Sequence, residues 1–187
     1  NVFWRTDLED TEGVATLLRP QDFQKGEPGK DDLSLEEANR FFYKLFEAAG
    51  YINFTANEMP DEPNATFYVD HSGARENYWH LEGDNVSFDL TSKTKRMLNL
   101  KANALLGGKM GLTKIPYEQM GETEYEDATR KLFAALFGDK AIQSVSVNAV
   151  YDDHYCTMDP IMADGTQYEI MYQDGLIVDA TCFVSTD

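Results

Sequence analysis

The chain has 187 residues, 42% of them hydrophobic and 12% aromatic, which is enough apolar material for a folded core and argues against disorder. Thirty-three acidic residues against 16 basic ones leave a net charge of −17. A surface that acidic repels phosphate backbones and argues against nucleic-acid binding. No apolar run approaches the roughly 20 residues of a membrane helix.

Residues 1–32 carry little pattern. Residues 11–18 suit a short helix stopped by Pro20, and Gln24-Lys25-Gly26-Glu27-Pro28-Gly29-Lys30 is turn and linker chemistry. The clearest helix follows over 34–49. Ser34 and Glu37 form a capping box, after which Leu35, Ala38, Phe41, Phe42, Leu45, Phe46 and Ala49 recur at helical spacing until Gly50. That apolar face needs a partner, and short strands follow over 51–56, 65–71, 77–81, 86–91 and 97–100. With Gly83-Asp84 as a turn, Trp79 and Leu81 share a face with Val86, Phe88 and Leu90.

Glycines 107, 108, 111 and 121 around Pro116 mark a connection over 101–121, and the pattern then restarts. Thr123 with Glu126 reads as a second capping box. Tyr125, Ala128, Leu132, Ala135 and Leu136 form a helical stripe ended by Gly138. Residues 142–150 alternate as a strand, predicted to continue to Met158 past a bulge at Asp152-Asp153, and 160–165 reads as a loop. The chain finishes in a hairpin over 168–184. A three-residue loop, Gln173-Asp174-Gly175 with a left-handed glycine, places Tyr168, Ile170 and Tyr172 on one face with Leu176, Val178, Ala180, Cys182 and Val184.

Helices followed by runs of antiparallel strands predict an α+β fold, with each helix lying across a small sheet. The repeated order predicts an internal duplication. It divides the chain into an N-terminal extension (1–33), a first helix-plus-sheet module (34–106), a linker (107–121) and a second module (122–187).

The stretch YWHLEGDNVSFDLTSKTKRMLNL over 78–100 and the Val178-Asp179-Ala180-Thr181 run resemble the closing hairpin of PepSY domains. These are small bacterial extracytoplasmic modules with a helix on an antiparallel sheet. Lys95 stands where that family usually has glycine. The resemblance covers 34–100 and 123–184. It implies a secreted or lipid-anchored tandem protein without catalytic residues, one that binds or restrains a peptidase or another cell-envelope partner.

Candidate sites each have a plainer reading. Asp152, His154 and Cys156 alternate, so a regular strand would place three metal-ligand types on one face, although the spacing is far weaker than a Cys-x-x-Cys pair. His154 and Cys156 also suggest a thiol nucleophile with its base, the centre of an alternative reading as a small hydrolase or metal-dependent enzyme. Asp70-His71-Ser72 holds the residue types of a hydrolytic triad, but sequence neighbours rarely converge, and a strand end is the plainer account. Trp79 and the ten tyrosines could line a groove, yet aromatics at strand spacing usually build core. No cofactor motif is recognisable and none is expected. The three sequons at Asn53, Asn64 and Asn85 are chance in an Asn-rich chain.

The main reading is therefore a non-catalytic, extracytoplasmic binding protein with a protein or cell-envelope partner. The opening at Asn1 would suit a chain trimmed of a leader, or simply a fragment. A cystatin-like or NTF2-like small-molecule binder shares the helix-on-sheet form but would show one continuous curved sheet with a cavity. For Cys156 and Cys182, a meander puts one strand between the two cysteine-bearing strands. Its outer strands lie about 9–10 Å apart, beyond the roughly 7 Å a disulfide allows. Free thiols are expected, with Cys182 buried beside Val178 and Val184.

Overall fold

Two helices and eleven strands appear in a computed structural model that describes residues 23–52, 61–83, 85–102, 107–108, 119–150 and 155–183. The helix expected over 11–18 lies outside these residues, as does most of the strand expected over 51–56.

Helix α1 (Leu35–Ala48) begins as its sequence dictates. The Ser34 hydroxyl accepts the Glu37 N–H at 3.3 Å, and the Glu37 carboxylate accepts the Ser34 N–H at 3.0 Å, so both halves of the capping box form. Its buried face is Ala38, Phe41, Phe42, Leu45 and Phe46, while Leu35, at the first helical position, stands out in solvent. Gly50 closes the helix with a φ of 71°. Helix α2 (Glu122–Phe137) begins earlier than predicted. Its cap is Gly121, extended at φ −100°, whose N–H is accepted by Glu124 at 2.8 Å. Thr123 therefore lies inside the helix, and only the backward half of a capping box exists, because glycine has no side chain to offer. The buried face carries Tyr125, Ala128, Thr129, Leu132, Phe133 and Leu136; Ala135 is exposed.

Strand β1 (Phe23–Lys25) and the short β2 (Tyr51–Ile52) belong to the first half of the chain. With them are β3 (Asn64–Asp70), β4 (Tyr78–Gly83), β5 (Val86–Thr91) and β6 (Met97–Ala102). After β7 (Gly107–Gly108) come β8 (Ile142–Val150), β9 (Tyr155–Met162), β10 (Gln167–Gln173) and β11 (Leu176–Phe183). Nine strands form one antiparallel sheet in the order β1-β3-β4-β5-β6-β11-β10-β9-β8, and β2 pairs with β7 separately. Each helix is thus followed by a four-strand meander, but the two small sheets expected from the sequence are one continuous sheet, because the last strands of the two meanders hydrogen-bond to each other at β6–β11. Among the described residues no helix is long and apolar enough to cross a membrane.

Four predicted details of the second meander are corrected: the 142–158 strand, Pro160, the final turn and the burial of Cys182. Residues 142–158 are not one bulged strand but the hairpin β8–β9, with Val150 opposite Cys156. Pro160, read as a loop residue, is buried in β9, opposite a stretch where the ladder to β10 is interrupted between Met158 and Ile161. A strand tolerates proline where no partner needs its N–H. The final turn is also tighter than expected. Asp174 and Gly175 both hold positive φ, 50° and 77°, and Gln173 pairs with Leu176, which is a two-residue turn of type I′ character. The slip that such a turn introduces is absorbed inside β11 instead. Met171 pairs with Asp179 but Tyr172 with Ile177, so Val178 bulges out and Ile177 replaces it in the core. Cys182 is accordingly half-buried rather than buried, Val178 is half-buried beside the bulge, and Val184 lies outside the described residues.

The expected face of β4 and β5 is observed, with Trp79, Leu81, Val86, Phe88 and Leu90 all buried, although Gly83 pairs with Val86 and the turn centres one residue later. A single apolar core joins both halves. Phe41 on α1 contacts Phe88 of the sheet and Phe137 of α2, each at 5.8 Å between ring centroids.

Candidate functional site

The cysteines do not build a reactive centre in the described part. Cys156 is fully buried on β9 with its thiol 3.6 Å from the Met158 sulfur, and burial pushes it up to about 11. A thiol held there is protonated at neutral pH, the form that does not act as a nucleophile. Asp152 and His154 lie outside the described residues. Both cysteines are free, as the intervening β10 requires. Among the described residues no group of three or more His, Cys, Asp or Glu could share a metal ion.

Asp70, His71 and Ser72 form a structural turn. The Ser72 hydroxyl lies 2.7 Å from both Asp70 oxygens, and the Arg75 N–H donates to the same carboxylate at 2.7 Å. Burial pushes the Asp70 carboxyl up, but these donors and the Arg75 guanidinium outweigh it and hold it at about 2. Because the Ser72 hydroxyl is spent on Asp70 and His71 is exposed, no triad assembles. Trp79 is core, donating its indole N–H to the Leu33 carbonyl at 2.8 Å.

The arrangement with binding chemistry lies elsewhere. A groove of about 650 Å³ runs between the middle of α1, the C-terminal end of α2, the β5–β6 turn and the β9–β10 turn. This is within the ~300–1,000 Å³ range of ligand sites. Leu33, Phe41, Leu136, Phe137, Met162 and Tyr168 supply its apolar surface. Arg40, Lys44, Lys95 and Arg96 border it against two acidic groups, Glu37 and Asp164. A local surplus of positive charge is notable on a chain of net −17.

Each cation is placed by local structure. Arg40 and Lys44 are four residues apart on α1. Arg40 meets Glu36 at 2.6 Å on the exposed face, and Lys44 donates to the Leu136 carbonyl at 3.2 Å, capping the negative end of α2. Lys95 holds a φ of 57° in the β5–β6 turn and stands 4.0 Å from Glu37. Arg96 pairs with Asp164 at 2.9 Å, yet its buried Nε has no hydrogen-bond partner. For Asp164, burial pushes upward, but the Thr166 N–H, which donates at 3.0 Å, and the Arg96 guanidinium lower it below the ordinary carboxylate value. The Arg40–Glu36 and Lys95–Glu37 pairs are exposed and weak, so an incoming carboxylate can compete for those two cations.

Linear reading missed this site because its charges come from three separate elements. The signals available were the pair Arg40 and Lys44 at helical spacing and the run Lys93-Thr94-Lys95-Arg96, both conspicuous in an acidic chain. Another feature went unread on the opposite face of the sheet, where His80 lies directly across from Asp89. The two meet at 2.7 Å, and the hydrogen bond that the imidazole donates to the Asp89 carboxylate raises it above its ordinary value despite partial burial.

No family model and no curated protein matches the chain. Among solved structures the chain is similar to the Bacillus megaterium YpeB C-terminal domain, at a TM-score of 0.48 and 12% identity over 80% of this chain. It spans 63% of that structure's length.

Proposed function

We propose that this chain is a non-catalytic, extracytoplasmic binding protein of PepSY-like build. Its groove holds an extended, acidic segment of a protein or cell-envelope partner, and a peptidase held in check is one partner of that kind. The observation that carries this reading is the basic border over an apolar floor in a chain of net −17. A peptide with carboxylates spaced between apolar residues would set the latter on Phe41, Phe137 and Met162 and the former against Arg40, Lys95 and Arg96.

The tandem part of the reading is that residues 34–106 and 122–187 descend from one helix-plus-sheet module. Where β6 meets β11, Leu100 faces Ala180, and the flanking pairs Asn99–Thr181 and Lys101–Asp179 are disposed symmetrically about it. The bulges support it as well. Leu98 is skipped between Met97 and Asn99, as Val178 is between Ile177 and Asp179. Lys95 supports the family resemblance in its own way, since its φ of 57° is the left-handed backbone that favours glycine.

Panning a random peptide library on the intact chain tests the groove. Peptides selected on the wild type are expected to be rich in Asp and Glu, and that enrichment should vanish on an Arg40→Gln/Lys95→Gly variant. Neither substitution removes core packing. Selection of neutral or basic peptides, or equal enrichment on both proteins, would overturn the assignment.

A further inference from the structure

Strand β8 ends the sheet, and among the described residues it pairs with β9 alone. Its sequence, IQSVSVNAV, contains neither a charge nor a proline, two of the devices by which edge strands discourage pairing, although its bulges at either end are a third. Two bulges shape it. The register advances by two residues against one at Gln143 and again at Asn148, which leaves Ser144–Val147 as a regular run between them.

Pro160 tells which backbone groups of that run are free. It faces Val145, and its missing N–H falls on the β10 side, where the ladder is interrupted. Val145 and Pro160 are then a non-hydrogen-bonded pair, so the N–H and C=O of Val145, and of Val147 two residues on, turn toward the open edge. The side chains of Val145 and Val147 are half-buried against the core, while Ser144 and Ser146 are exposed.

A cleft of about 520 Å³ runs beside this strand under the first turns of α2, bordered by Glu122, Thr123, Glu126 and residues 145–148. We infer that β8 is a second docking surface, which takes an extended segment of a protein partner as an added antiparallel strand. Lys or Arg at alternate positions of that segment would reach Glu122 and would compete with Arg130, which meets Glu126 at 2.8 Å on the exposed helix surface, for the second carboxylate. Main-chain hydrogen bonds to Val145 and Val147 would supply attachment, and the two carboxylates would supply selection. The occupant differs from a second copy of this chain, because strand exchange between two copies would bring two bodies of net −17 together with Glu122 and Glu126 near the seam.

The probe is a fluorescein-labelled peptide of alternating Lys and Val, titrated against the intact chain by anisotropy. Saturable binding is expected, weakened by about tenfold or more in Val147→Pro, which removes one outward N–H at an edge position where proline is tolerated. The Glu122→Gln/Glu126→Gln variant should weaken it as well. Far-UV circular dichroism and the thermal midpoint report whether Val147→Pro stays folded. A second peptide, N-methylated at every other residue, keeps the charge and leaves the protein untouched, and it should lose binding in one of its two methylation registers. Equal affinity for the unmethylated peptide and both methylated forms would overturn strand addition. Self-association of the wild type that Val147→Pro abolishes would overturn the choice of occupant, and absence of any binding would overturn the site.

Discussion

A Cβ added at Gly83 would sit 2.7 Å from Cζ of Phe42. That is inside van der Waals contact, so one of the two must move. The ring is the movable partner in principle, but Phe42 is 1% exposed and stacks on Phe88 at 5.9 Å with an interplanar angle of 12°. Swinging it aside would break that stack and press on the neighbouring Phe46. Overpacking of this kind costs about 1–3 kcal/mol. Against it, replacing glycine by alanine at a compatible backbone gains about 0.4–1 kcal/mol by narrowing the unfolded ensemble. Gly83→Ala is therefore expected to destabilise by about 1–2 kcal/mol net. The diagnostic is the double variant. In a Phe42→Leu background the clashing atom is gone, so adding Gly83→Ala should be neutral or slightly stabilising, a coupling of about 1–2 kcal/mol. Urea unfolding followed by tryptophan fluorescence measures both, provided the slope m stays constant. A Gly83→Ala change within about 0.5 kcal/mol of neutral in both backgrounds would refute the packing of α1 on β4.

Leu132→Ala should cost about 2–5 kcal/mol in the same assay, because Leu132 is fully buried between α2 and the sheet. Asp70 is depressed in the folded state, so its contribution, on the order of 2 kcal/mol, is present above about pH 4. It is lost as pH falls toward about 2, and Asp70→Asn should flatten the stability profile in that window. His80 has the opposite sign. Its raised value means that the Asp89 contact stabilises fully below the unfolded value near 6.5 and fades as pH climbs through the folded one, a slope that His80→Gln should remove. Ellman's reagent should find two thiols in denaturant without prior reduction, and slow reaction in the native state, where burial holds both thiols at about 11.

Local chemistry accounts for what could be read from the sequence. Ser34 and Glu37 decide the start of α1 without outside help, and the alternation of Trp79, Leu81, Val86, Phe88 and Leu90 decides a face whichever residue centres the turn. Errors arose where two local rules competed. A glycine bulge in the loop and a bulge at Val178 both place Tyr168, Ile170 and Tyr172 on one face, and the Asp174-Gly175 preference for a two-residue turn decided between them. Pro160 reads as a loop residue in the sequence because its tolerance in a strand depends on the interrupted ladder to β10, which is a tertiary fact. The β6–β11 junction and the groove have no local signature at all. Lys44 reaches the end of α2 across 92 positions, and Arg96 reaches Asp164 across 68.

The claim that the groove holds an acidic segment is tested most directly by mapping amide shifts on isotopically labelled protein. A peptide of alternating Glu and Leu would be titrated into the intact chain. Shifts that saturate and centre on Arg40, Phe41, Lys95, Arg96 and Asp164, and that disappear in Arg40→Gln/Lys95→Gly, are the predicted result. Saturable shifts centred outside that set, or none up to the solubility limit of the peptide, would contradict it.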